Sequence, residues 1–254
     1  MDKIITSHEL RDEIAKLPTR EKMHFIKFPK LDEIYGGFYG GEIYTLGAFP
    51  GSGKTTFLIS LTKDLSQNYK CMWFSCEMEA QSFLEMFGTD IPLFHLPQEI
   101  PTLGKSGERL MWIERMIIKG KKEHGTKIVM LDHLQYLTNF STTSQVQMVD
   151  YVMRYLKEMA IRQDITLFLI THLKKETDDI KRPSLDNLRG SQMIAGESFG
   201  VMFITRLKKK EADEEGEHAW SNRSNVYIEK NRRGGRLGYI KLEYDFAKRE
   251  FIEL

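Results

Sequence analysis

The sequence predicts an α/β protein: a mostly parallel sheet flanked by helices, followed by a β-rich C-terminal end. Three observations predict it. Five near-continuous apolar runs have the length of strands and the composition of strands covered on both faces. Stretches of helical periodicity lie between those runs. The last thirty or so residues switch to short runs joined by turns, as expected of antiparallel strands. The apolar runs are 43–47 (IYTLG), 71–75 (CMWFS), 127–131 (KIVML), 165–170 (ITLFLI) and 199–204 (FGVMFI).

Taken in order, Ser7 is expected to cap a short helix through about Leu17, with Leu10, Ile14 and Leu17 at helical spacing and Pro18 closing it. This amphipathic piece is too short to form a core. It is either a tail packed on its own domain or an arm that docks on a neighbouring subunit. It sets residues 1–24 apart as an arm or linker and leaves 25–254 as the main domain. FPKLDEIYGGFYGGE, 28–42, reads as a glycine-rich lead-in loop. Helices are predicted over 54–66, 78–87, 107–124 and 145–163. In the third, Leu110, Ile113, Ile117 and Ile118 keep the helical period; in the fourth, Val149, Val152, Tyr155, Leu156 and Met159 do. RLKKKEADEEGEH, 206–218, reads as a mobile, solvated charge run. Strands at 224–230, 237–244 and 249–253 complete the chain.

A length of 254 residues suits one large domain, and 41% hydrophobic with 29% charged residues is ordinary globular composition. A formal net charge of +1 means that any polyanionic partner must be held by local clusters. Of the two cysteines, Cys71 and Cys76 bracket one apolar run at a spacing that fits neither a zinc site nor a redox pair; a reducing cytosol suits them, so a cytoplasmic protein is expected. The charged N-terminus lacks the apolar segment of a signal peptide, and no run is long enough to span a bilayer.

Chemistry concentrates at Ala48-Phe49-Pro50-Gly51-Ser52-Gly53-Lys54-Thr55, a phosphate-loop pattern with alanine at its first glycine position. Strand before and helix after are the context such a loop requires. Gly51 and Gly53 let backbone N–H groups turn around phosphate oxygens, aided by the helix N-terminus, with Phe49, Pro50, Ser52 and Thr56 completing the cradle. Lys54 reaches the β- and γ-phosphates of ATP or another NTP, and Thr55 offers a hydroxyl to Mg2+. In IVMLDHLQYL, 128–137, Asp132 follows an apolar strand. Such an aspartate commonly caps a helix; beside a phosphate loop it is expected to join the Mg2+ shell. In WFSCEME, 73–79, Glu77 ends a strand at the same sheet edge and is expected to polarise the attacking water, in preference to Glu79 two residues on.

With these residues in place, the chain from Phe28 to near its C-terminus resembles the RecA-core hexameric replicative helicases, the DnaB-like family. Within them it is most similar to the phage primase-helicase and mitochondrial Twinkle branch. The resemblance implies a RecA-like fold, with Glu77 in FSCEM as general base and Asp132 in LDHLQ on the metal side. LITHLKK, 169–175, resembles the strand-end motif whose His172 occupies the γ-phosphate sensor position. LDNLRGSQMI, 185–194, resembles the motif after the DNA-binding loop. EKNRRGG, 229–235, resembles the late K-x-R motif, implying that Lys230 and Arg232 reach a neighbour's nucleotide; Arg233 is the adjacent alternative. The resemblance includes no primase segment, so primer synthesis is not expected.

It further implies an NTP-dependent DNA helicase, working as a homo-oligomeric ring, a hexamer, on single-stranded DNA and alongside other replication proteins. Channel loops would then include 172–183, with Lys174, Lys175, Lys181 and Arg182, and the polar 138–147. Arg189 and Gly190 would support them, and 206–210 is a further cluster. Solvated loops are the plain alternative for each lysine. Two other readings stay open: a RecA- or KaiC-like ATPase that uses nucleotide as an assembly switch, which 31–56 also resembles, and a helicase-accessory ATPase.

Overall fold

The computed structural model describes residues 4–101, 106–138, 145–173, 182–188, 192–208 and 220–254. Its elements in chain order are α1 (Ser7–Ile14), α2 (Pro29–Tyr35), β1 (Ile43–Ala48), α3 (Lys54–Leu65), β2 (Cys71–Ser75) and α4 (Ala80–Glu85). There follow α5 (Ser106–His124), β3 (Ile128–Asp132), α6 (Gln135–Thr138), α7 (Gln145–Gln163), β4 (Thr166–His172) and α8 (Gln192–Glu197). The chain ends in β5 (Gly200–Lys208), β6 (Trp220–Asn231), β7 (Gly238–Asp245) and β8 (Glu250–Glu253).

All eight strands join one sheet in the order β2-β3-β4-β1-β5-β6-β7-β8. The first five in that order run parallel, and β6, β7 and β8 continue antiparallel. Because strand side chains alternate faces, a strand covered on both must be apolar at every position. In β3, Ile128 and Met130 enter one core with α2, α3 and α4, while Val129 and Leu131 enter the other with α5, α7 and α8. Past β5 burial alternates along the strands of the described residues. In β6, Ser224, Val226 and Ile228 are buried while the residues between them are partly exposed. The last strand returns to α3: the Phe251 N–H donates to Ser60 Oγ at 2.8 Å and its ring meets Phe57 edge-on.

The register brings the carboxyl ends of β1, β2, β3 and β4 to one edge. Ala48 pairs with His172, and Ser75 with Asp132. That edge is where an open α/β sheet binds ligands.

Four expectations need correction. The lead-in at 28–42 contains a helix, α2. Pro29 starts it and Gly36, at φ 66°, ends it in the left-handed conformation, while Leu31, Ile34 and Tyr35 are buried. Pro inside the start and Gly past the end are helix punctuation, outweighed in the sequence by the later glycines. For α1 the cap is Thr6, not Ser7: its hydroxyl accepts from the Glu9 N–H while the Glu9 carboxylate accepts from the Thr6 N–H. The helix stops at Ile14, short of Leu17. The charge run at 206–218 begins inside a strand, because Arg206 and Lys208 pair with Ser224 and Trp220; residues 209–219 lie outside the described ones. Cross-strand pairing extends a hairpin where hydrophobicity does not.

Candidate nucleotide site

The phosphate loop leaves β1 at Ala48 and enters α3 at Lys54. Gly51 and Gly53 have φ of 75° and 87°, the region open to glycine. At Gly53 an added Cβ would also lie 3.3 Å from the Phe251 ring, so the C-terminal strand closes on the loop from behind. Gly53 itself is the helix N-cap, leaving the first-turn N–H groups of α3 to an external acceptor. Phe49 packs into the core under the loop, Pro50 and Gly51 are exposed, and Ser52, Thr55 and Thr56 are half-buried. The Ser52 N–H bonds to the Phe49 carbonyl at 3.2 Å, tightening the turn. Lys54 is buried.

Beside the loop, Thr55 Oγ1 donates to Asp132 Oδ2 at 2.7 Å. Asp132 is 1% exposed, and its other oxygen, Oδ1, is buried with no hydrogen-bond partner among the described residues. Burial raises the Asp132 carboxyl pKa, and the nearby Glu77 charge raises it further; the Thr55 bond, His133 and Lys54 pull it down. A desolvated carboxylate with one oxygen unsatisfied, bonded to a hydroxyl on the phosphate-loop helix, is a hard-oxygen donor set that fits a small divalent cation. Glu77 stands just past the end of β2 with its side chain 45% exposed, and Glu79 occupies the N-cap position of α4 without a side-chain capping bond.

His133 follows Asp132 directly. The structure sets its Nδ1 3.4 Å from Glu77 Oε2, and its ring lies edge-on to that of His172 with centroids 5.0 Å apart. Burial lowers its pKa and favours the neutral ring, against the pull of Glu77 and Asp132. Its position next to Asp132 was the available signal. His172 ends β4, and the backbone beyond it is anchored by a bridge between Leu173 and Leu188.

Lys230 and Arg232 lie elsewhere. Because β6 runs antiparallel, its end comes to the amino-terminal edge of the parallel strands, opposite the phosphate loop: Lys230 pairs with Val201 at the start of β5. Lys230 donates to the Ala195 and Gly196 carbonyls, and Arg232 Nη2 donates to Gly196 O at 2.7 Å. Lys157 of α7 joins them. Desolvation, then the Arg232 charge, lowers the pKa of both lysines. No sequence pattern marked Lys157, whose proximity comes only from packing. Arg233 is committed inward. It donates to the Gly37 carbonyl at 2.6 Å, pairs with buried Glu42, and lies over the Tyr39 and Phe199 rings.

Of the cations expected in channel loops, Arg182 is held on β6 by Glu229 at 2.8 Å and over Tyr227. Lys174, Lys175, Lys181, Arg189 and Gly190 lie outside the described residues, as do most of 138–147 and 209–210 of the third cluster.

A profile of the family described as DnaB-like helicase C terminal domain matches residues 26–87 and 103–253. The chain belongs to this family. The DnaB-like domain is 26% identical over 261 residues to the replicative DNA helicase DnaB of Mycoplasma genitalium, covering 89% of this chain and 55% of that protein. It is 23% identical to the Geobacillus stearothermophilus DnaB helicase over 283 residues, covering 100% of this chain and 60% of that one. The chain thus spans little more than half the length of these curated relatives. Among solved structures, the ATPase domain of G40P superposes with a TM-score of 0.74 at 20% identity, covering 97% of this chain and 96% of that one. A DnaB-like replicative helicase, solved with its interactions with primase, gives the same TM-score and identity over 97% of this chain and 67% of that one. At such identity the likeness speaks for the RecA-like DnaB helicase fold. Among the described residues no helix is long and apolar enough to cross a membrane.

Proposed function

We propose that the chain is the motor domain, residues 25–254, of a cytoplasmic replicative DNA helicase. It hydrolyses ATP or another NTP at subunit interfaces of a ring and moves along single-stranded DNA. The observation that carries this reading is the separation of two half-sites. Lys54, Thr55, Asp132 and Glu77 gather at one sheet edge, while Lys230 and Arg232 are presented at the other, so a second copy is needed to join them. Membership in the DnaB-like family supports the same reading.

In this mechanism the loop amides and the Lys54 ammonium hold the triphosphate. Thr55 Oγ1 and the unsatisfied Asp132 Oδ1 would hold Mg2+, which when bound neutralises charge developing on the phosphates. Glu77 orients the attacking water and accepts its proton. Arg232 and Lys230 of the adjacent copy bring positive charge to the transferring phosphoryl group. His172, at the end of β4, reads the presence of the γ-phosphate and passes it to the segment that begins one residue later, where Lys174, Lys175 and Lys181 meet DNA together with Arg182, Arg189 and Gly190. None of the residues of α1 is buried, and Leu10, Ile14 and Leu17 are exposed. This favours the arm over the tail: α1 docks on the next subunit of the ring, a hexamer by family analogy.

Subunit mixing tests the shared site. Arg232→Ala and Lys54→Ala chains are each expected to be inactive, and an equimolar mixture is expected to regain hydrolysis at interfaces that pair an intact loop with an intact arginine. A mixture as silent as its components, in a ring shown by mass measurement to contain both chains, defeats the proposal.

A further inference from the structure

Mg2+ and the triphosphate leave part of this edge unexplained. Glu77, His133 and His172 each offer a ligand atom, and the three atoms lie within 4.8 Å of one another. They come from the ends of β2, β3 and β4, which are adjacent in the sheet, so three strand ends aim them at one point. Two imidazoles and one carboxylate are a poor set for Mg2+, which demands oxygen ligands. They suit zinc and its neighbours, and match the three-ligand zinc sites that keep one position open. The distance from His133 Nδ1 to Glu77 Oε2, 3.4 Å, already equals the edge of a tetrahedron with metal–ligand bonds of about 2.0–2.2 Å. The His172 ligand atom lies within 4.8 Å of both. His133 Nδ1 is buried and has no hydrogen-bond partner among the described residues.

We propose that Glu77, His133 and His172 form a binding site for a borderline divalent transition metal, typified by Zn2+, whose occupation blocks hydrolysis. The inhibitory half rests on the reading of Glu77 as the carboxylate that handles the attacking water. Drawn onto a metal, the Glu77 carboxylate is a weaker base for that proton and is held away from the water it would orient, and His172, once ligated, is tied to the same point. Excess Mg2+ does not relieve the block, because it competes poorly for imidazole nitrogen.

The test titrates the untagged, nucleotide-free chain with Co2+, whose visible absorption reports nitrogen and oxygen coordination, and then with Zn2+ in competition. One equivalent is expected to bind. His133→Ala, His172→Ala and the near-isosteric Glu77→Gln should each weaken it by more than about tenfold. Circular dichroism confirms that each variant is folded, and the exposed Glu77→Gln supplies a variant with no packing to lose. Cys76→Ser, and His124→Ala at the stacked His95–His124 pair, should bind as the parent does. The ratio of ATP hydrolysis rates with and without Zn2+, at saturating Mg2+, should return to near one in His133→Ala. Absence of saturable binding, or parental affinity in both histidine variants, overturns the site and leaves the hydrolysis reading standing. Hydrolysis that survives Glu77→Gln overturns the inhibitory half with the reading it rests on, whatever the cobalt titration shows.

Discussion

In the parallel half of the sheet, β2, β3, β4 and β1 end at one edge and deliver Glu77, Asp132, His172 and the phosphate loop to a common point. In the antiparallel end, β6 runs the other way and delivers Lys230 and Arg232 to the opposite edge, on the backbone of α8. The two regions differ in direction more than in composition, and direction decides which residues can serve one nucleotide. Side chains at like ends of parallel strands converge within the chain. Those on a reversed strand come out at the opposite edge, away from the phosphate loop.

The largest expected effect that sharpens this contrast is on rate. Lys54→Ala should lower hydrolysis by about 100-fold or more, as loss of a donor to developing phosphate charge does, in a steady-state phosphate-release assay. Hydrolysis at the parental rate would place the triphosphate somewhere other than the parallel edge.

Next comes a change in stability at the reversed edge. Arg233→Ala leaves Glu42, only 5% exposed, without its cation, and should cost about 3 kcal/mol in urea unfolding. Arg232→Ala, whose guanidinium is exposed and rests on a carbonyl, should cost less than about 1 kcal/mol. Equal losses for the two would mean that neither arginine is reserved for an outside partner.

A smaller effect joins the two regions. Gly53→Ala forces a left-handed alanine against the Phe251 ring of β8, and about 1–2 kcal/mol of destabilisation is expected in the same assay. Adding Phe251→Leu should restore part of it if the antiparallel end does brace the loop.

The subtlest change is in slope. The Asp64 carboxylate accepts from the Ile26 and Lys27 N–H groups under α3, and burial pushes its pKa up to about 6. The folded state therefore holds the proton more tightly than the unfolded chain. The stability this contributes is complete below about pH 4 and is lost as pH rises through about 6. Asp64→Asn should flatten that fall, by no more than about 2 kcal/mol between pH 4 and 7 in urea titrations. An unchanged slope would remove Asp64 as its source.

How much of this was legible beforehand varies element by element. Each of the five doubly buried strands was readable because a strand with two covered faces is apolar at every position, as 128–131 is. The nucleotide loop was readable because its demands are local: glycines where φ is positive, a lysine and a threonine at fixed offsets. His133, Lys157 and the Gly53–Phe251 contact were not, since each acquires its neighbour from a distant part of the chain. Nor was α2, whose start and stop signals were masked by the glycines around it.

By itself, then, the order of residues determined the strand–helix alternation, the phosphate loop and the acidic residues at strand ends, all set by short-range sterics and periodic burial. Only the tertiary structure decided which edge each charged residue occupies. Strand order and direction arise from the joint packing of two cores, and no local window contains them. That is why Arg232 and Arg233, neighbours in sequence, part ways: one is locked onto Glu42 inside the domain, the other faces out from it.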